Sequence, residues 1–376
     1  VSLAARIDVK GWCPGAVQPM ESGDGLLVRV RPRGGVFTLA QAAGLAEIAA
    51  SLGNGHIDLT RRANLQIRGL TGAAMPELHR RLDRLGLLDA DTATEQARAV
   101  MVGPFAGRAT RALASALIEA LGEAVATDRR FAALPAKFGW LVDGDGPLSI
   151  VGERADVALC AVGTDVALRV NGQWLGTTSY QQAVPLALAA TRALLDGSPL
   201  PALTRLRTVP APGRRRLGDV SGLFGVAAAF GRLEATQLKT LVALAAEAGA
   251  SEIRLSPWRA LYIDAPIEGA EKLYLIVDEA DPLLRIDACP GAPACRSASV
   301  DTHHAARRLA VMEIEGSIHV SGCAKGCARS AAADLVLVGD RGQYGVIRGG
   351  TARDAIERTI EAKDIEAMDI QELLHG

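Results

Sequence analysis

The sequence predicts an α+β protein built by internal duplication, with antiparallel or mixed sheets. A shift of 196 positions lays residues 35–67 over 231–263 without a gap. Gly35 meets Gly231, Gln41 meets Gln237, Leu45 meets Leu241, Gly53 meets Gly249, and Leu65 and Ile67 meet Leu261 and Ile263. Each copy repeats one strand–helix–strand–strand pattern of apolar positions. Further along, ADVALC at 155–160 returns as ADLVLV at 333–338.

The elements follow in chain order. LLVRVR at 26–31 alternates late in the run and reads as a strand. Thr38 followed by Gln41 is a capping-box signature, and Leu39, Ala42, Ala43, Leu45, Ala46 and Ala49 suit one helical face. Gly53 is expected to end that helix at positive φ, as Gly249 ends its counterpart. IDLT and LQIRG then read as short strands around a turn. So small a unit cannot bury both faces of its sheet. Two copies paired across a pseudo-twofold axis are expected to form one continuous sheet.

Mixed segments at 95–200 and 283–376 follow the two copies, each with a helix, strands and a closing helix. Pro199–Arg216, rich in Pro and Arg, reads as the linker between halves. ARDAIERTIEAKDIEAMDIQELL, from residue 352, reads as one or two amphipathic helices. The expected domains are 1–90 and 201–280, the two ferredoxin-like halves, and 91–200 and 281–376, the two mixed α/β domains.

A chain of 376 residues needs several such units. With 49% hydrophobic and 22% charged residues it can bury a large core, and aromatics at 4% leave that core to Ala, Val, Leu and Ile. A net charge of -1 argues against a nucleic-acid coat or polybasic membrane binder, while allowing local basic pockets. No leader-like start or charge-free apolar run of membrane length stands out, so a cytoplasmic protein is expected.

Six cysteines in so long a chain are not a disulfide framework. Four crowd together as Cys289-x5-Cys295 and Cys323-x3-Cys327, with small residues around them. Four thiolates suit a [4Fe–4S] cluster. A zinc knuckle favours tighter spacing but stays open as an alternative, as do four buried thiols. Arg29, Arg31 and Arg33 stand at i, i+2 and i+4 and share one face of a regular strand. Such arginines can grip carboxylates with two hydrogen bonds.

The C-x5-C pair and the later H-x-S-G-C-x-K-x-C resemble the cluster motif of the sirohaem nitrite and sulfite reductase superfamily. LTRRANLQIRG at 59–69 resembles its LTTRQNxQ-type segment, and the duplicated halves match its architecture. The opening KGWCPGAVQPMESGDGLLVRVRPRGG, 10–35, resembles more particularly the precorrin-3B synthase family. The fold implied is an internally duplicated nitrite/sulfite reductase-like fold. The resemblance implies cluster ligation by Cys289, Cys295, Cys323 and Cys327. In the second half alone do such cysteines occur; AVMVGPFAG sets Gly103-Pro104 opposite Cys289-Pro290. It places Arg62 and Gln66 on tetrapyrrole-binding positions, with Arg31 and Arg98 as further substrate contacts. LPAKFGW, 134–140, resembles LPRKFK of the reductases, with Lys137 on the first lysine and Gly139 on the second. That second lysine serves sulfite in the reductases, so Gly139 points to a larger substrate.

The activity implied is an oxygen-dependent monooxygenase, converting precorrin-3A to precorrin-3B by C20 hydroxylation with lactone formation. Its partners are the precorrin tetrapyrrole, O2 and an external electron donor, a reductase or ferredoxin. A mononuclear non-haem iron is left open as a second metal. The alternatives are a sirohaem-dependent sulfite or nitrite reductase, with sirohaem bound only there, and a non-catalytic tetrapyrrole or iron–sulfur carrier. Adjacent His303 and His304 diverge by about 100° on a helix and ill suit one iron together. His319 reads as a backbone support, Cys13 as buried or site-lining, and Trp12 as core or pocket wall. GDGPLS at 144–149 lacks the last glycine of a dinucleotide loop, so no nicotinamide site is expected.

Overall fold

The computed structural model describes residues 12–144, 146–312 and 314–366. Lys10 and Gly11 of the family-like opening, Asp145 of GDGPLS, and residues 367–376 of the C-terminal stretch lie outside the described residues. The chain divides into two compact units, a larger one holding 12–20 and 27–277, and a smaller one holding 21–26 and 278–366.

The larger unit contains the duplicated strand–helix–strand–strand copies. One sheet orders Gly25–Val30, Leu65–Leu70, His56–Leu59 and Arg232–Glu234. The other orders Gly218–Val220, Leu223–Ala227, Ala260–Ile263, Glu252–Leu255 and Val36–Thr38. The copies therefore build two sheets, not the expected continuous one, and each lends the other a strand. Leu233 pairs opposite Ile57, and Phe37 opposite Ile253. Val36 and Arg232 stand at the repeat offset of 196. Each lent strand runs straight into its helix, Leu39–Leu52 or Ala235–Glu247, with no loop to carry it back to its own sheet.

The two helices pack on each other. Ala42, Leu45, Ala46 and Ala49 are buried on the first, and Leu238, Leu241 and Ala245 on the second. Each fully buried leucine contributes about 1.5–3 kcal/mol, and the alanines admit close approach at little entropy cost. The first helix starts with the expected capping box, and the second with an equivalent one that was not foreseen. Thr38 Oγ1 accepts from Gln41 N at 3.1 Å, and Glu234 N donates to Gln237 Oε1 at 2.7 Å. Gly53 departs from expectation, since its φ is -103°. Glycine is required there by crowding, because a Cβ would sit 2.5 Å from Arg68 O. Gly249, at φ +78°, does take the left-handed form.

The larger unit's third sheet runs Val100–Val102, Trp140–Asp143 and Val157–Val162 in parallel, then Asp165–Val170 and Gln173–Ser179 antiparallel. In the smaller unit, Ile286–Ala288, Ile318–Ser321 and Ala333–Asp340 run parallel, then Gln343–Gly350 and Arg358–Glu361 antiparallel. The topology is the same, and the ADVALC and ADLVLV segments fall on equivalent strands. The closing elements differ. The first copy ends in the helix Tyr180–Asp196. In the second, part of the expected C-terminal helix is the strand Arg358–Glu361, followed by a 3-10 turn to Glu366. Ile360 is buried opposite Tyr344 between exposed neighbours, so a two-residue alternation prevails over helical periodicity.

Candidate functional site

In the smaller unit, the parallel strands deliver the cysteines. Cys289 follows Ile286–Ala288, and Cys323 follows Ile318–Ser321, its paired neighbour. Gly322 N donates to Cys289 Sγ at 3.2 Å, and the Lys325 backbone donates to the Cys323 thiol. Ser321 Oγ donates to Cys323 O at 2.7 Å, and Thr302 Oγ1 donates to Cys289 O at 2.5 Å. Crowding demands small residues here. A Cβ on Gly291 would lie 2.5 Å from Thr302 Oγ1, and one on Gly322 2.5 Å from Ala298 Cβ.

Cys323 and Cys327 both lie within electrostatic reach of Cys289 and Cys295. Burial, then the Lys325 backbone hydrogen bond acting against it, then Cys295 and Cys289, leave the Cys323 thiol raised. Burial among protein atoms pushes Cys327 up to about 11, although one side is open to solvent; Lys325 opposes, and Cys289, Cys323 and Cys295 reinforce the rise. Four thiolates gathered this way repel one another unless a cation joins them. Among the described residues no three His, Cys, Asp or Glu side chains converge on a single ion. A multi-iron cluster spreads its ligands over separate irons, so four thiols need not meet at one point to hold it. His303 and His304 sit on the helix Thr302–Ala310, where His304 Nε2 pairs with Glu366 at 2.5 Å. His319 is buried on Ile318–Ser321.

The arginines lie in the larger unit. The strand carrying them stops at Val30, so the expected shared face breaks up. Arg31, buried, pairs with Glu95 at 3.2 Å. Glu95 also accepts from Ala16 N at 2.6 Å and Val17 N at 3.3 Å, which ties down the loop after Cys13. Burial lifts the Glu95 carboxyl despite Arg31 and these amides. Arg33, half-exposed, donates to Gly86 O at 2.9 Å and sits 3.8 Å from Asp89. Arg98, buried, pairs with the same Asp89.

Arg29 differs. Its Nε is buried without a hydrogen-bond partner, and no carboxylate pairs with it among the described residues. Burial, then Arg31, lower its pKa to about 10, partly offset by Cys13, its hydrogen-bond partner; Arg62 lowers it further. It stays charged at neutral pH. Sequence reasoning noted Arg29 only within a trio; the signal it lacked was which member keeps no counterion. Cys13 is half-buried beside it, as expected, whereas Trp12 is 37% exposed.

Arg62 lies in a turn in which the next residue, Ala63, takes φ 50°. Its Nη2 donates to Lys137 O at 3.3 Å. Gly139 explains that reach, since a Cβ there would lie 2.3 Å from Arg62 Nη1. The guanidinium fills space that a lysine at 139 would need. Lys137 itself is exposed. Gln66 Nε2 reaches Asp58 Oδ2 at 3.5 Å, and Asp58 also holds Arg232 at 2.7 Å. Glu153, unmarked in the sequence, accepts from Trp258 and feels Arg61 and Arg62; burial raises its carboxyl. With Arg154, Asp156, Arg169 and Asn171 it lines a cavity of about 310 Å³.

The first copy shows what stands in the topological place of Cys289. Gly103 follows Val100–Val102 as Cys289 follows Ile286–Ala288. A Cβ on Gly103 would lie 2.1 Å from Asp143 Oδ1. Asp143 accepts from Ser149 Oγ at 2.7 Å. Burial raises its pKa to about 6, against hydrogen bonds from Ser149, Ile150, Gly144 and Val151. The native state thus holds this proton up to about pH 6, whereas the unfolded chain releases it near 3.8. Stability is expected to fall by about 3 kcal/mol as pH rises across that window. Denaturant titrations of wild type and Asp143→Asn should differ in slope there; equal slopes would discard the shift.

Among the described residues no helix is long and apolar enough to cross a membrane. Residues 18–85 match the nitrite/sulfite reductase ferredoxin-like half domain. Over 91% of this chain and 83% of the relative, the sequence is 32% identical to a precorrin-3B synthase from a Sinorhizobium species. It is 25% identical to a sulfite reductase [ferredoxin] of Mycolicibacterium paratuberculosis, over 86% of this chain and 72% of that one. The solved structure of the Mycobacterium tuberculosis NirA protein superposes with a TM-score of 0.67 at 23% identity, covering 91% of this chain and 79% of that one. The duplicated sheets match the fold of that solved protein. The extent of the first relationship adds the family, and this chain belongs to the precorrin-3B synthases, on the nitrite/sulfite reductase fold.

Proposed function

We propose that the protein is an oxygen-dependent monooxygenase that hydroxylates precorrin-3A at C20 and closes a lactone, giving precorrin-3B. Two electrons from an external donor and two protons would reduce the second oxygen atom to water. The reading is carried by the exchange at Gly139: an arginine occupies the space of a small-oxyanion lysine. A guanidinium pairs with a carboxylate through two hydrogen bonds, and precorrins carry many carboxylates.

Cys289, Cys295, Cys323 and Cys327 would hold a [4Fe–4S] cluster, which when bound supplies single electrons. The chain's own contribution is orientation. Arg29 and Arg62, neither of them in a salt bridge among the described residues, bind substrate carboxylates. Arg31 and Arg98, each locked to a carboxylate, stiffen the segments beside them, and Lys137 and Gln66 lie on the same segments as outer contacts. Glu153, whose carboxyl feels the charge of both Arg61 and Arg62, offsets their mutual repulsion.

The sulfite or nitrite reductase and carrier readings separate in one set of spectra and assays. Protein purified without oxygen should show broad iron–sulfur absorption with no Soret band, and no turnover of sulfite or nitrite. A Soret band with sulfite turnover would replace the proposal. Stoichiometric precorrin binding with no product would leave a carrier.

A further inference from the structure

The segment joining the duplicated halves carries five arginines, Arg205, Arg207, Arg214, Arg215 and Arg216, and no acidic residue between Gly197 and Gly218. It is held in place. Leu200 and Leu203 pack against one core of the larger unit and Leu206 against another. Thr177 N donates to Thr204 O at 2.8 Å, and Gly213 N donates to Ser149 O at 2.8 Å. A Cβ on Gly176 would lie 2.2 Å from Thr204 O, and one on Gly213 2.5 Å from Ser149 N. Pro199, Pro201, Pro210 and Pro212 restrict the backbone between these anchors.

With leucines turned inward, the arginines face out. Arg205, Arg207, Arg214 and Arg216 are exposed, and none forms an ion pair among the described residues. Val209 stands among them 59% exposed. Arg130, by contrast, pairs with Asp128 and Asp196. An ordered cationic ridge, with four exposed arginines outside any ion pair among the described residues, around an apolar side chain has the make-up of a protein-docking surface, where charge steers encounter and an apolar contact anchors it. A net charge of -1 gives no overall pull toward nucleic acid.

We propose that the ridge from Arg205 to Arg216 is the docking surface for an acidic protein, the external electron carrier. This rests on the proposed redox function and adds the place and chemistry of its partner. The test uses iron-loaded holoenzyme and a small acidic [2Fe–2S] ferredoxin as probe. The R205E/R207E/R214E/R216E variant should bind it at least about tenfold more weakly at low salt, with a flatter salt dependence. The four Arg→Lys changes together should keep most of the affinity. Reduction by dithionite should not change, because these residues lie outside the proposed substrate site. Unchanged ferredoxin affinity in the charge-reversed protein would overturn the proposal, as would equal loss in the lysine variant, which would mark a structural role. So would selective loss of binding to an oligonucleotide. Ferredoxin binding through the ridge without precorrin turnover would sink the reaction but keep the surface; turnover with an indifferent ridge would do the reverse.

Discussion

Cys289→Ser is expected to strip the protein of its visible iron–sulfur absorbance and of acid-labile sulfide. About four irons per chain should be present in wild type purified without oxygen. Cys289 is the most buried of the four and accepts the Gly322 amide at 3.2 Å. A serine oxygen there is a harder, less acidic ligand and fits the cradle poorly. Cys327→Ser should have a similar though weaker effect, since its site is more open. Cys160→Ser is the control: that thiol is buried in the first copy's sheet, and burial holds it protonated. Iron and sulfide assays on all three decide the matter. Full iron content in Cys289→Ser would remove it from the ligand set.

Gly139→Lys is expected to raise the precorrin KM about tenfold or more while leaving the fold intact. The added side chain must enter space held by Arg62 Nη1, 2.3 Å from the new Cβ. That atom ends a flexible side chain, so the guanidinium swings away at little cost to stability. The coupling makes the prediction sharp. In an Arg62→Ala background Gly139→Lys should add little, because both changes remove one contact. Additive effects, or loss of thermal stability equal to the loss of binding, would show that Arg62 does not touch substrate.

Local signals in the sequence were enough for much of this architecture. The capping box at Thr38 and the repeat offset depend on neighbours a few residues apart, or on matched segments. The cysteine spacing likewise marked residues that follow two paired parallel strands. Strand exchange was invisible, because Phe37 opposite Ile253 is a pairing between distant segments with the same alternation as any alternative. The arginine partners were hidden for the same reason. Whether Arg29, Arg31 or Arg33 keeps a free charge depends on Glu95 and Asp89, dozens of residues away. At Gly53 the residue type was informative but its cause was not, since close approach and left-handed backbone both select glycine.

The most direct test of the central claim is mass spectrometry of precorrin-3A after incubation with iron-loaded protein, reductant and heavy-isotope O2. The account predicts a product heavier by one labelled oxygen atom, formed only when oxygen and electrons are both supplied. Unchanged precorrin-3A under those conditions, or a product whose new oxygen comes from water, would contradict it.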